Sequence, residues 1–256
     1  MEITVLSNIG KKRASNQDYA EYYFNQAGQV LFVLCDGVGG NLAGDVASRL
    51  TAEYLGQRFQ EVGGFDQVDQ AKDWMDQMIA AVNDYILEAS KQSAEYEGMG
   101  TTLILATLVA GRILLAHVGD SRGYLYRQGQ LIQVTEDHSL VNELIKTGEI
   151  TPEEGLSHPQ RNVVTQSIGL PMAIEPAFND LSVEDVDVLL LCSDGLTNMV
   201  TANEIVAHFK EYQELESLGQ ALIDAANLAG GKDNITLILV RHLAEKEGVF
   251  DDRDRR

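Results

Sequence analysis

The sequence predicts an α+β fold in which antiparallel sheets stack and are covered by helices. Three observations lead there. Short β-rich runs outnumber helical ones along the chain. Several of them are joined by two-residue turns, Ala110-Gly111 and Gln128-Gly129 among them, and such turns connect antiparallel neighbours. The few helical stretches are amphipathic, as helices lying on a sheet must be. A doubly wound parallel sheet is therefore excluded.

Strands are expected at residues 3–6, 19–24 and 30–35, β-branched and aromatic runs that end at turn residues. A helix is expected over 43–59, where Ala47, Leu50, Tyr54 and Leu55 line one face. The clearest helix covers about 67–92, with Ala71, Trp74, Met75, Met78, Ile79, Val82, Tyr85, Ile86 and Ala89 recurring at three and four. Strands resume at 101–109, 112–118, 123–127 and 131–134. Thr151-Pro-Glu-Glu154 and Thr201-Ala-Asn-Glu204 are capping boxes, in which hydroxyl and carboxylate satisfy opposite backbone N–H groups, so each starts a helix. Between them 186–192 reads as a strand. A helix at 217–228 and a strand at 235–241 complete a domain spanning 1–241. Residues 242–256 read as a charged, flexible tail.

Composition narrows the function. The 256 residues include 39 acids and 19 bases, a formal charge of −20, with no cluster of Lys and Arg fit to displace counterions from a duplex. Nucleic acid and anionic membrane are thereby excluded as partners. Apolar runs such as 30–35 fall far short of the ~20 residues needed to span a bilayer. Met1-Glu2-Ile3 opens with an acid and no long apolar segment, so no secretory signal is expected. Cys35 and Cys192 each end an apolar run and read as buried thiols, not a disulfide framework. The expectation is a soluble, cytoplasmic, acidic single domain.

Chemistry is suggested by where the acids stand. Leu34-Cys-Asp-Gly37 echoes Leu191-Cys-Ser-Asp-Gly195, and Asp-Gly is by itself an ordinary way to leave a strand. The acids recur, however, at both kinds of strand end. Asp36, Asp120 and Asp194 follow strands, whereas Asp18 and Asp233 precede them. In antiparallel sheets those ends are neighbours, so all five carboxylates can converge on one edge. Such a cluster repels itself, and hard divalent cations resolve the conflict; carboxylates, carbonyls and water suit Mg²⁺ or Mn²⁺ rather than zinc. Gly37, Gly39 and Gly40 would let backbone approach an ion. Spacing alone leaves two readings open, a metal site and solvated turn acids.

Seven blocks then occur in order: Lys11-Lys-Arg13-Ala-Ser-Asn-Gln-Asp18, Asp36-Gly-Val-Gly-Gly40, Gly98-Met-Gly-Thr-Thr102, His117-Val-Gly-Asp-Ser-Arg122, Asp137-His-Ser139, Ser193-Asp-Gly-Leu196 and Asp233-Asn-Ile-Thr236. Together, over about residues 1–241, they resemble the metal-dependent serine/threonine protein phosphatases (the PPM, or type 2C, family), in particular the compact bacterial members. Ser157-His-Pro-Gln-Arg-Asn162 is similar to the Gram-positive subgroup that opposes a membrane-bound serine/threonine kinase. The resemblance implies a β-sandwich of two antiparallel sheets, antiparallel helix pairs on both outer faces, and a flap at about 139–170.

It also implies roles. Asp36 would bridge two Mn²⁺ or Mg²⁺ ions, with the Gly37 carbonyl on one of them. Asp194 and Asp233 would hold the other, Asp18 would serve the second through water, and Asp120 with Asp194 would bind a third. A metal-bridging hydroxide would attack phosphorus directly, with no phosphoenzyme, while Arg13 grips the phosphate through its planar fork. His158 and Arg161 on the flap are candidate substrate contacts. The implied partners are phosphorylated proteins and the opposing kinase, and the implied state is a monomer. Three positions depart from the pattern. Val38 stands where many eukaryotic members have His and Asn41 where bacterial relatives often have His, so the general acid is unassigned. Gln17 stands where an acid is common, which leaves the second metal few protein contacts.

Plainer readings stand beside these. His117, between Ala116 and Val118, suits a hydrogen-bonded core position. His138 suits a brace for Asp120 or Arg122, and His158, before Pro159, a solvent-facing one. Cys35 and Cys192 read as inert rather than as a redox switch. A catalytically inactive phosphoprotein-binding scaffold is disfavoured because Asp36, Asp194 and Asp233 are all present. A two-metal nuclease is disfavoured by the charge balance.

Overall fold

A computed structural model of the chain describes residues 1–38, 43–184 and 186–243. Two antiparallel sheets stack face to face. The first runs β1 (Glu2–Asn8), β11 (Ile235–Arg241), β10 (Val188–Cys192), β7 (Arg122–Arg127) and β8 (Gln130–Gln133). The second runs β2 (Asp18–Phe24), β3 (Val30–Val38), β5 (Leu103–Val109), β6 (Arg112–Val118) and β9 (Ala177–Ser182), with the short β4 (Gly100–Thr101) added on β3. Helices α1 (Gly44–Gln60) and α2 (Val68–Ser90) cover the outer face of the second sheet, and α6 (Ala202–Glu211) and α7 (Leu215–Leu228) that of the first. The short α3 (Leu140–Lys146) and α4 (Pro152–Leu156) lie between β8 and β9, and α5 (Asp194–Thr197) follows β10. The four-layer α+β sandwich expected from the sequence is the fold.

Side-chain alternation builds these layers. Along β3, Leu31, Val33 and Cys35 face α1 and α2, while Val30, Phe32 and Leu34 face the other sheet. Along β10, Leu190 and Cys192 face α6 and α7, while Leu189 and Leu191 point between the sheets. Strands buried on both faces must be apolar throughout, which is why these runs lack polar alternation. Each large side chain so buried contributes about 1.5–3 kcal/mol. Trp74 sits edge-on to Phe59, ring centres 5.5 Å apart, so the aromatic face of the long helix is core.

Local chemistry agrees with the sequence in detail. Ala110 (φ 51°) and Gly111 (φ 73°) turn β5 into β6, and Gln128 (φ 49°) and Gly129 (φ 79°) turn β7 into β8; two positive φ angles in succession mark the hairpin turns whose twist matches the strands. Both capping boxes are formed, Thr151 with Glu154 and Thr201 with Glu204. Several boundaries differ from expectation: β1 and β3 run on to Asn8 and Val38, and β10 begins at Val188 instead of 186. The strand expected at 101–109 is broken at Thr102, whose N–H and hydroxyl turn to Asp36. Helix α7 begins at Leu215, two residues before the expected start at 217. Strand β9 was not foreseen; Ala177-Phe-Asn-Asp-Leu-Ser182 is a half-exposed edge strand with no β-branched aliphatic residue, held by its ladder to β6.

Both cysteines are free and buried. Among the described residues, no helix is long and apolar enough to cross a membrane. Gly39, Gly40, Asn41 and the part of the 242–256 tail beyond residue 243 lie outside the described residues.

Candidate active site

Asp18 and Asp36 are direct partners across the β2–β3 ladder. Their strand neighbours Ala20 and Leu34 contribute to the layer between the sheets, so the pleat brings both acids out at the end of that layer. The other sheet meets them there. Beyond Cys192, the Ser193 hydroxyl donates to Asp18 Oδ2 at 2.7 Å and accepts the Thr236 N–H at 3.0 Å, joining one sheet to the other. Asp194 opens α5, and its Oδ2 accepts from Asn198 Nδ2 at 2.8 Å. Asp233 stands just before β11 and accepts Arg13 Nη2 at 2.7 Å. Asn234 fastens the 9–17 segment: its amide donates to the Ile9 and Ser15 carbonyls, and its Oδ1 accepts the Gln17 N–H.

The Gly98–Thr102 block holds Asp36 by its backbone. Thr102 Oγ1 accepts the Asp36 N–H at 3.0 Å, and the Asp36 carbonyl accepts from the Thr102 N–H at 2.8 Å and from Thr101 Oγ1 at 2.9 Å. Ser121, beside Asp120, shares a 2.8 Å hydrogen bond with the same Thr102 hydroxyl. One polar chain therefore links the Asp36 and Asp120 loops. A Cβ on Gly37 would come within 2.5 Å of the Gly44 carbonyl, so glycine alone lets β3 end this close to the start of α1.

The acids share one electrostatic field. Burial, then Asp18 and Asp194, push the Asp36 carboxyl well above the ordinary range. Burial, then Asp120 and Asp233, push Asp194 to about 8. Asp18 is pushed up to about 6 by burial, against the hydrogen bond from Ser193, and Asp120 to about 6 by burial and by Asp137. Asp18 Oδ1 and Asp194 Oδ1 are buried and accept no hydrogen bond. Among the described residues, no three His, Cys, Asp or Glu side chains stand together closely enough to hold a metal ion as they are placed. A buried carboxylate oxygen with no donor is costly, and a hard dication facing this all-oxygen set would satisfy it. The chemistry of these donors fits a hard divalent cation.

A pH dependence follows for the metal-free protein. Folded-state carboxyls that titrate above their unfolded values hold protons the unfolded chain has released, so stability falls as pH rises. The window runs from about pH 4, the ordinary carboxylate value, to about 8, where Asp194 loses its proton. The chelated protein is expected to melt lower at pH 8 than at pH 5, with each kcal/mol lost lowering Tm by about 2–4 °C. Added Mn²⁺ should recover more at pH 8 than at pH 5. Calorimetry across that range, with and without chelator, checks both.

Around this edge lie supporting groups. The Arg122 fork grips Asp137 (Nε at 2.9 and 3.0 Å, Nη2 at 2.6 Å), and Gln133 Nε2 donates to the same carboxylate. His117 Nε2 lies 2.8 Å from the Glu136 carbonyl, which bears out its reading as a core residue. His138 stacks on His117 with ring centres 4.8 Å apart and accepts the Gly119 N–H at Nδ1, bracing the Asp120 loop; Arg122 is held by Asp137 instead. Burial, then His117, lower His138 to about 4, so it is neutral at physiological pH.

His158 and Arg161 stand on the turn after α4, on different elements from the five acids. His158 is half-buried, and its Nδ1 accepts the Gln160 N–H at 3.2 Å. The 139–170 segment that carries them is pinned at both ends. The His138 N–H donates to Gly119, and Thr101 and Ile168 exchange both backbone hydrogen bonds. Sequence reasoning placed all five acids and Arg13 at this edge but gave no role to Ser193, Thr102 or Asn234, although each lay in a quoted block. Asn198 carried no signal beyond standing four residues after Asp194.

Comparison with known proteins gives one answer. The family model described as Protein phosphatase 2C matches residues 9–228. The protein phosphatase PhpP of Streptococcus pneumoniae is 42% identical over 240 residues, 94% of this chain and 97% of that protein. Among solved structures, the S. agalactiae serine/threonine phosphatase superposes with a TM-score of 0.89 at 44% identity, covering 93% of this chain and 98% of that one. The serine/threonine phosphatase Stp1 from Staphylococcus aureus gives 0.90 at 38%, covering 94% of both chains.

Proposed function

This chain belongs to the PP2C-type (PPM) family of serine/threonine phosphatases, and on that footing we propose that it hydrolyses phosphoserine and phosphothreonine in proteins with the aid of bound Mn²⁺ or Mg²⁺. The observation that carries this reading is the convergence of five acids, one buried and four partly buried, two of them with an unpartnered buried oxygen, at one end of the sandwich. Asp36, the Gly37 carbonyl, Asp194 and Asp233 would hold two cations with Asp18 beside them, and Asp120 with Asp194 a third. Bound there, such cations offset the charge of the phosphate and acidify a water for attack on phosphorus.

The chain's own residues do the rest. Arg13, half-exposed and lying against Asp233, is placed to exchange that carboxylate for two phosphate oxygens. Thr101 and Thr102 fix Asp36, Ser193 fixes Asp18, and Asn198 orients Asp194, so the acids need little rearrangement when substrate arrives. Val38 offers no proton to the leaving oxygen, which leaves that task to water. The 139–170 segment would act as a flap that selects protein substrates, with His158 and Arg161 in contact with them. The resemblance of Ser157-His-Pro-Gln-Arg-Asn162 to the Gram-positive subgroup supports a cytoplasmic role, opposing a membrane-bound serine/threonine kinase.

The test is hydrolysis of a phosphothreonine peptide with added Mn²⁺. We expect release of phosphate that stops with chelator and returns when the metal is restored. Binding of the peptide without turnover would leave a scaffold, and hydrolysis of a diester instead would leave a nuclease. Full turnover after exhaustive chelation would overturn the metal.

A further inference from the structure

The chain is strongly acidic, yet one rim of the site is not. Lys11 and Lys12 donate their backbone N–H groups to the Gly231 carbonyl at 2.8 and 3.1 Å, which lays the 11–13 segment against the turn carrying Lys232 and Asp233. Gly231 (φ 52°) packs against Lys11, and the Asn227 amide reaches Asn8 at 3.2 Å, closing the seam. Arg13, next in line, already touches Asp233. Lys11, Lys12 and Lys232 are all exposed.

Their lack of partners is what singles them out. Most basic side chains among the described residues are engaged. Arg49, Arg58, Lys91, Arg112, Arg122, Lys146 and Arg241 pair with acids, and Lys72 lies over Phe178. Arg127 and Arg161 are also engaged. Among the described residues, that leaves Lys11, Lys12, Lys210 and Lys232 with neither an ion pair nor a ring contact, and three of these four stand on this rim. On a protein with a formal charge of −20, unpaired cations beside the site are a surface for negative charge.

We infer that the Lys11–Lys12–Lys232 rim reads acidic residues flanking the phosphorylated side chain, so that the chain prefers phosphoproteins modified within acidic segments. The inference rests on the phosphatase reading and gives it a substrate class. Arg13 and the acids act on the phosphate itself; the three lysines act on its neighbours and leave the chemistry untouched.

The experiment compares phosphothreonine peptides identical except for acidic, neutral or basic flanks, with a nitrophenyl phosphate as the flank-free control. Three exposed contacts of ordinary strength predict about a tenfold advantage in kcat/KM for acidic over neutral flanks at low salt. The advantage should vanish near 1 M salt, where the screening length is roughly 3 Å. Combined Lys11→Ser, Lys12→Ser and Lys232→Ser substitution should erase the preference while nitrophenyl phosphate turnover stays within about twofold, and the matching Lys→Glu variant should reverse it. Equal kcat/KM for all flanks with the unaltered chain overturns the inference and leaves the phosphatase reading standing. An acidic preference that survives in both triple variants also overturns it. Hydrolysis of none of the peptides overturns the phosphatase reading, and this inference with it.

Discussion

Replacing Asp36 by Asn is expected to abolish turnover and to stabilise the metal-free protein. Asp36 is buried at the centre of the acids, and Asp18, Asp194, Asp120 and Asp233 all push its carboxyl upward. Asn keeps the shape and is neutral at every pH, so the cost of either charging or protonating the group at this position is removed. The same change removes the carboxylate proposed to lie between two cations. Losing ~4 kcal/mol of transition-state stabilisation lowers kcat about 10³-fold. At pH 8 the chelated Asp36→Asn protein should melt above the chelated parent, and the rise in Tm that Mn²⁺ gives the parent should shrink. Paired melts with and without Mn²⁺ check this beside a turnover assay. A variant that is less stable without metal would show that Asp36 is held for its hydrogen bonds instead of its charge.

Gly195→Ala should damage the fold itself. The added Cβ would overlap the carbonyl oxygen of Asn234, backbone against backbone, with no flexible side chain to yield. Relief requires the turn bearing Asp194 to part from the one bearing Asp233. Overpacking of this kind costs about 3 kcal/mol, which lowers Tm by roughly 6–12 °C in a chain of this length. Gly63 offers the contrast, since a Cβ there meets nothing within 4 Å, and Gly63→Ala should stay within about 0.5 kcal/mol of the parent. Urea unfolding of the two variants side by side measures the difference, and similar midpoints would contradict it.

The fold was legible where two signals coincide. Alanine or glutamine followed by glycine between strands demanded paired positive φ angles, and both hairpins have them. The helical spacing of Ala71, Met75, Ile79 and Ile86 named the buried face of α2 correctly. Strand β9 escaped because an edge strand buries little, so Ala177–Ser182 carries no apolar alternation, and its pairing with β6 is a tertiary fact. The site divides along the same line. Acids at strand ends can be read from spacing, because antiparallel pairing brings such ends together. The groups that hold them cannot: Ser193 reaches Asp18 across 175 positions, and Thr102 grips Asp36 across 66, separations at which a hydroxyl leaves no local pattern.

Strand β1 is the edge of its sheet, and its neighbour there is β11, with Glu2 opposite Arg241. During synthesis the first strand therefore emerges with no neighbour and waits for almost the whole chain. Pairing over such a distance folds slowly, because the loop it closes separates partners such as Ser7 and Thr236 by 229 positions. Helices α1 and α2 can settle on β2, β3, β5 and β6 well before then, but Asp233 arrives with the last strand. The half-made protein thus holds a folded layer that carries Asp18 and Asp36 and lacks the groups that complete the cluster. Any activity proposed for the cluster therefore waits until β11 has paired with β1 and brought Asp233 to the other acids.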